Sequence, residues 1–219
     1  MKKILLTAAV LLAATLPAKA EVFVWQDPTY DIEVTFPDNW MRQASLDDDL
    51  RLQILAPQGM DHAACRLYVT DDGRFKDAPA SANMEVSNFI FDGEQIKREI
   101  YARPDTDMVK LASYTTNAKL GRAAAVAAEV DFQKYWAGSS YPMHAMVVAS
   151  QYHGQHIVMS CETLASGWGR WDSVIKGIFK SVDMPSAWAI EPNGMYRRFQ
   201  DDGGVILMLN RSKNAATIR

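Results

Sequence analysis

From Met108 to Glu162 the chain reads as strand after strand. Residues 109–116, 123–133, 143–152 and 155–162 each read as a strand, and Gly121 and Gly154 stand between neighbours. Runs this close together leave no room for a crossover helix, so they pair antiparallel. A two-residue turn around Gly154-Gln155 joins the last two and sets His153 opposite His156.

The N-terminal half alternates in the same way. Tyr30, Ile32, Val34 and Phe36 share one face, and Asp31, Glu33 and Thr35 take the other. Pro37 has no N–H for a ladder and stops the strand, Asp38-Asn39 is turn chemistry, and residues 40–43 begin a returning strand. Residues 22–26, 50–55 and 65–70 are further strands. Two stretches change period. Met84, Val86, Phe89, Ile90, Ile96 and Ile100 recur at helical spacing, with Ser81 as N-cap, a break or a second helix at Gly93 and a stop at Pro104. Trp168, Trp171, Ile175, Ile178 and Phe179 form the apolar stripe of a second helix. The fold class is therefore α+β, a mostly antiparallel β-sheet flanked by helices.

The ends read differently. Lys2 and Lys3, a short apolar run and the Ala18-Lys-Ala20 site form a secretory signal peptide over 1–20, cleaved before Glu21. The run is too short to span a bilayer. One α+β domain occupies 21–184, and residues 185–219 form an appended hairpin and polar tail. Without Lys2, Lys3 and Lys19, the 23 Lys and Arg become 20 against 26 Asp and Glu. That acidic balance disfavours nucleic acid and anionic membrane surfaces, which need clustered cations. No integral membrane association is expected.

An exported chain with two cysteines is expected to bond them. Cys65 alternates with Leu67 and Val69, and Cys161 with Ile157 and Met159, so both point into a core. No Cys-x-x-Cys is present, which argues against a redox-active pair.

Chemistry is sparse. His153 and His156 are the best metal candidates, but zinc needs further ligands, and only Glu162, Asp61 and His62 offer themselves. Ser45–Asp49 is an acidic loop without calcium-loop spacing. Ser139 and Ser140 lack a nucleophile elbow. No phosphate loop or dinucleotide fingerprint occurs, so no cofactor is expected. Aromatic residues near turns stand out more. Trp40, Tyr135, Trp136 and Tyr141 lie in or beside loops, and such side chains anchor interfaces, although Trp40 is expected first to pack over the sheet edge. Residues 135–141 read as an aromatic-flanked hairpin loop, the expected partner surface.

Three stretches resemble the PsbP-like superfamily of α/β/α sandwich proteins, which includes PsbP, Mog-type and DcrB-type members. Ile32-Glu-Val-Thr-Phe-Pro-Asp-Asn-Trp40 is similar to its strand-Phe-Pro-x-x-Trp opening. Leu120-Gly-Arg-Ala-Ala-Ala-Val-Ala-Ala-Glu-Val130 is similar to the strand after its helical insertion, and Trp171–Ser181 to its closing helix. The resemblance spans about residues 22 to 183 and implies an antiparallel sheet between helices. It carries no catalytic set, and it implies a binding or assembly role. The expectation is a soluble exported module without intrinsic catalysis that binds another envelope protein. The alternatives are an envelope hydrolase and a small-molecule carrier with a pocket between sheet and helix.

Overall fold

The computed structural model describes residues 21–57, 61–76, 82–100 and 105–184. The signal peptide expected over 1–20, the Ser81 cap and the hairpin and tail expected over 185–219 lie outside the described residues.

Strands β1 (Val22–Gln26) and β2 (Glu33–Pro37) make a separate two-stranded hairpin. The main sheet has seven strands: β3 (Met41–Arg42), β4 (Leu50–Leu55), β5 (Ala64–Asp71), β6 (Thr106–Leu120), β7 (Ala123–Trp136), β8 (Ser139–Tyr152) and β9 (Gln155–Leu164). Their order is β3-β4-β5-β9-β8-β7-β6, and every pairing is antiparallel. Helix α1 (Asn83–Ile90) and the one-turn α2 (Gly93–Gln95), which runs into a π turn at Ile96–Ile100, occupy the insertion between β5 and β6. Helix α3 (Trp168–Lys180) follows β9. Among the described residues no helix is long and apolar enough to cross a membrane.

Period-2 alternation splits the core in two. Ile54, Cys65, Leu67, Met159 and Cys161 point to one face, where Trp171, Ile175, Ile178 and Phe179 of α3 and Val34 and Phe36 of β2 cover them. Val130, Phe132, Met143, Ala145 and Val147 point to the other, under Phe91 and Ile96 of the insertion. Cys65 and Cys161 are direct partners in the β5–β9 ladder, with Cα atoms 4.0 Å apart, and are joined by a disulfide.

Four local readings are corrected. Residues Met41–Arg42 do not return along β2; they pair with β4 at the edge of the main sheet. The turn Pro37–Trp40 sends the chain away, and Trp40 N–H donates to the Pro37 carbonyl. The break in the insertion falls at Phe91-Asp92, because Asp92 accepts from Gln95 N–H and caps a new helix that Gly93 begins. The last hairpin turns on His153-Gly154, with φ of 54° and 74°, so Tyr152 faces Gln155 and His156 faces Gln151. Both central residues of such a turn need positive φ, and this shifts the register by one. Residues 135–141 are not a loop: β7 and β8 run to Trp136 and Ser139, and Ala137-Gly138 alone makes the turn, at φ 51° and 77°.

Gly121, between β6 and β7, has φ of 57°, and a Cβ there would lie 2.7 Å from the Val182 carbonyl oxygen. Backbone cannot move aside as a side-chain tip can. Gly121→Ala is expected to cost about 1–3 kcal/mol, read as a lower urea midpoint. An unchanged midpoint would contradict that packing.

Candidate functional site

The α1-side face is only partly covered. Ser87 of α1 packs near one end, its Oγ donating to the Ala124 carbonyl and accepting from Gln151 N–H. At the opposite end of β7 and β8 the face opens into a cleft of about 570 Å³. Met41, Leu55, Pro57 and Met143 contribute apolar wall, and Arg66, Lys134 and Glu162 contribute charge.

Glu162 stands on β9 between Ala64 of β5 and Ala145 of β8 in register. Two small neighbours leave room above the sheet for long side chains from either side. Arg66 reaches diagonally from β5, and its Nη1 lies 2.9 Å from Glu162 Oε1. Lys134 reaches across from β7 and donates from Nζ to the same oxygen at 2.8 Å. Glu162 is buried, and the Arg66 and Lys134 side chains are 11% and 18% exposed. Burial pushes the Glu162 carboxyl up, but the Arg66 and Lys134 charges and hydrogen bonds outweigh it and hold the group below its ordinary value. A carboxylate kept ionised in this way fixes two cations; it is poorly suited to exchange protons at neutral pH.

One wall is aromatic. Trp136 and Tyr141 stack across the β7–β8 hairpin with centroids 3.8 Å apart and planes 9° apart. The His62 ring lies 4.7 Å from Trp136. Asp61 and His62 both have positive φ, 54° and 50°, which costs non-glycine residues about 1–3 kcal/mol each. Asp61 anchors this turn. Its Oδ2 accepts from Arg170 at 2.7 Å and from Trp171 Nε1 at 3.0 Å, and its carbonyl accepts from Leu164 N–H and the Thr163 hydroxyl. The strained turn thus holds His62 at the cleft mouth.

Of the expected partner surface, Trp136 lines the cleft and Tyr141 backs it. Tyr135 sits at the hairpin tip, 47% exposed, outside the cleft lining. Trp40 is corrected. It is 5% exposed and packs edge-on against Trp171 at 5.5 Å, so it belongs to the core under α3. The apolar surface of an indole next to another element's stripe outweighs its position beside a turn.

The other candidates are spread over the molecule. The register shift leaves His153 against the Tyr152 ring edge, while His156 Nε2 is 2.7 Å from Asp72 Oδ2. Asp72 is held far below the usual carboxylate range, first by Arg74 hydrogen bonds and further by His156. Ser140 donates to Gln133. In the acidic loop, Asp47 accepts from Asp49 N–H. Among the described residues no three His, Cys, Asp or Glu side chains gather as metal ligands would.

Sequence reasoning missed Arg66 and Lys134, and weighed Glu162 and His62 only as metal ligands. One signal was available. Arg66 and Glu162 each neighbour a cysteine on a central strand, so two opposite charges share the face opposite the disulfide.

No family model and no curated protein matches this sequence. Solved structures similar to the chain include PsbP (CyanoP) of Synechocystis sp. PCC 6803, at 12% identity and TM-score 0.49, over 77% of this chain and 95% of that one. LpqN of Mycobacterium tuberculosis, involved in cell envelope biogenesis, is similar at 14% identity and TM-score 0.45, over 75% and 91%. The Ran-binding protein Mog1p of Saccharomyces cerevisiae is similar at 8% identity and TM-score 0.49, over 76% and 96%. These are likenesses of fold alone. The antiparallel sheet between helices is the architecture that the resemblance over residues 22 to 183 implied.

Proposed function

We propose that this protein is an exported binding module without chemistry of its own, and that the cleft beside Trp136 is where it binds. The observation that carries the reading is the combination of shape and lining. A 570 Å³ cleft falls within the roughly 300–1,000 Å³ of small-ligand sites, with apolar walls and few, convergent polar groups. Its charged groups are tied to one another, which suits holding a ligand more than attacking it. Export is supported by the Lys2–Ala20 signal pattern and by the Cys65–Cys161 bond, since disulfides persist in oxidising compartments.

The neutral dye N-phenyl-1-naphthylamine tests this. Saturable one-to-one fluorescence enhancement is expected, lost in Ala64→Phe, which fills the cleft floor, and weakened in Trp136→Ala, which removes the wall. Both variants must unfold cooperatively for the comparison to count. Unsaturable binding, or equal binding by all three cooperatively folded proteins, would contradict the cleft as the site.

A second reading is docking of another envelope protein at the β7–β8 tip. The exposure of Tyr135, 47%, favours it, as exposed tyrosines anchor interfaces. A photo-crosslinker at Tyr135 that gives one discrete adduct in cells supports that reading, and absence of any adduct counts against it.

A further inference from the structure

The geometry points to a singly charged amphiphile, an apolar body ending in a carboxylate, as the ligand of the cleft; this rests on the cleft being the binding site. Apart from His62, the charged side chains in the described lining are two cations and one carboxylate. Arg66 and Lys134 both approach Glu162 Oε1, at 2.9 and 2.8 Å. The three side chains of this cluster therefore sum to one formal positive charge.

That charge sits among apolar walls, where it is screened far less than in water. It favours one anionic group. A neutral ligand gains nothing from it, and a phosphate monoester, with about −1.5 to −2 charges at neutral pH, brings more than the cluster balances. Lys134 gives one donor to Glu162 and an ammonium has three, so it can hold a second carboxylate without releasing the first. Glu162 fixes both cations before the ligand arrives, so little side-chain ordering remains to be lost on binding. The rest of the lining, Met41, Leu55, Pro57, Met143 and Trp136, takes the apolar body.

Displacement of bound N-phenyl-1-naphthylamine distinguishes the ligand classes. Dodecanoate, below its micellar concentration, is expected to compete about tenfold more tightly than 1-dodecanol, the gain of one charge-assisted contact. Lys134→Met should erase that preference, and Lys134→Arg should restore it. Equal competition by acid and alcohol, or a preference that survives Lys134→Met, overturns the inference while the cleft remains a binding site. Dodecyl phosphate competing better than dodecanoate overturns the carboxylate assignment. A dye that never binds overturns the cleft reading and this inference together.

Discussion

Replacing Cys65 and Cys161 together by alanine is expected to remove about 4–5 kcal/mol of unfolding free energy. The bond closes a sequence separation of 96 residues. In the chain-entropy view a loop of that length confines the unfolded chain by about 4–5 kcal/mol. The two residues already face each other in the β5–β9 ladder and are buried with Leu67 and Met159 under α3. The folded state therefore keeps its packing when the bond is lost, apart from two missing sulfurs, and the effect falls mainly on the unfolded chain. Urea unfolding of oxidised protein, reduced protein and the double variant measures it. Reduced and double-variant proteins should agree within about 1 kcal/mol, both far below the oxidised form. A loss under about 1 kcal/mol would show that the bond adds little to what the sheet already fixes.

The second large effect belongs to Glu162. Glu162→Gln keeps the shape but leaves Arg66 and Lys134 partly buried without the carboxylate between them. Removing one partner of a buried ionic cluster costs roughly 3–5 kcal/mol. The pH dependence separates charge from shape. Burial raises the carboxyl, the two cations lower it further, and the folded group ends below its ordinary value of 4.5. Its contribution is thus fully present above the unfolded value and is lost as pH falls through the folded value. The stability gap between wild type and Glu162→Gln should be widest at neutral pH and should narrow on acidification below about 4.5. Urea midpoints between pH 3 and 7 read this directly. A gap that stays constant with pH would assign the cost to packing.

Much of the scaffold was legible because alternation is a local property. Cys65-Arg-Leu-Tyr-Val69 assigns its own inward and outward residues, and the buried set matches it. The α3 stripe of Trp171, Ile175, Ile178 and Phe179 was equally local. Turns were less legible, since one residue decides them. His153 and Ala137 take left-handed backbone although neither is glycine. The first displaced a register, and the second turned an expected loop into strand. Strand order was least legible. Arg66 and Lys134 are 68 positions apart in sequence and meet only because β5, β9, β8 and β7 lie side by side. Nothing near Lys134 announces that Glu162 lies within its reach. The aromatic signal at Trp136 and Tyr141 did locate one wall of the cleft, while Trp40 carried the same composition and went to the core.

The cleft can be tested at residue level by titrating isotope-labelled protein with dodecanoate and following amide and indole resonances by NMR. The account predicts saturating shifts confined to Ala64, Arg66, Lys134, Met143, Glu162 and the Trp136 indole, all of which line the cleft. Shifts absent from these residues, or centred on another face of the sheet, would contradict it.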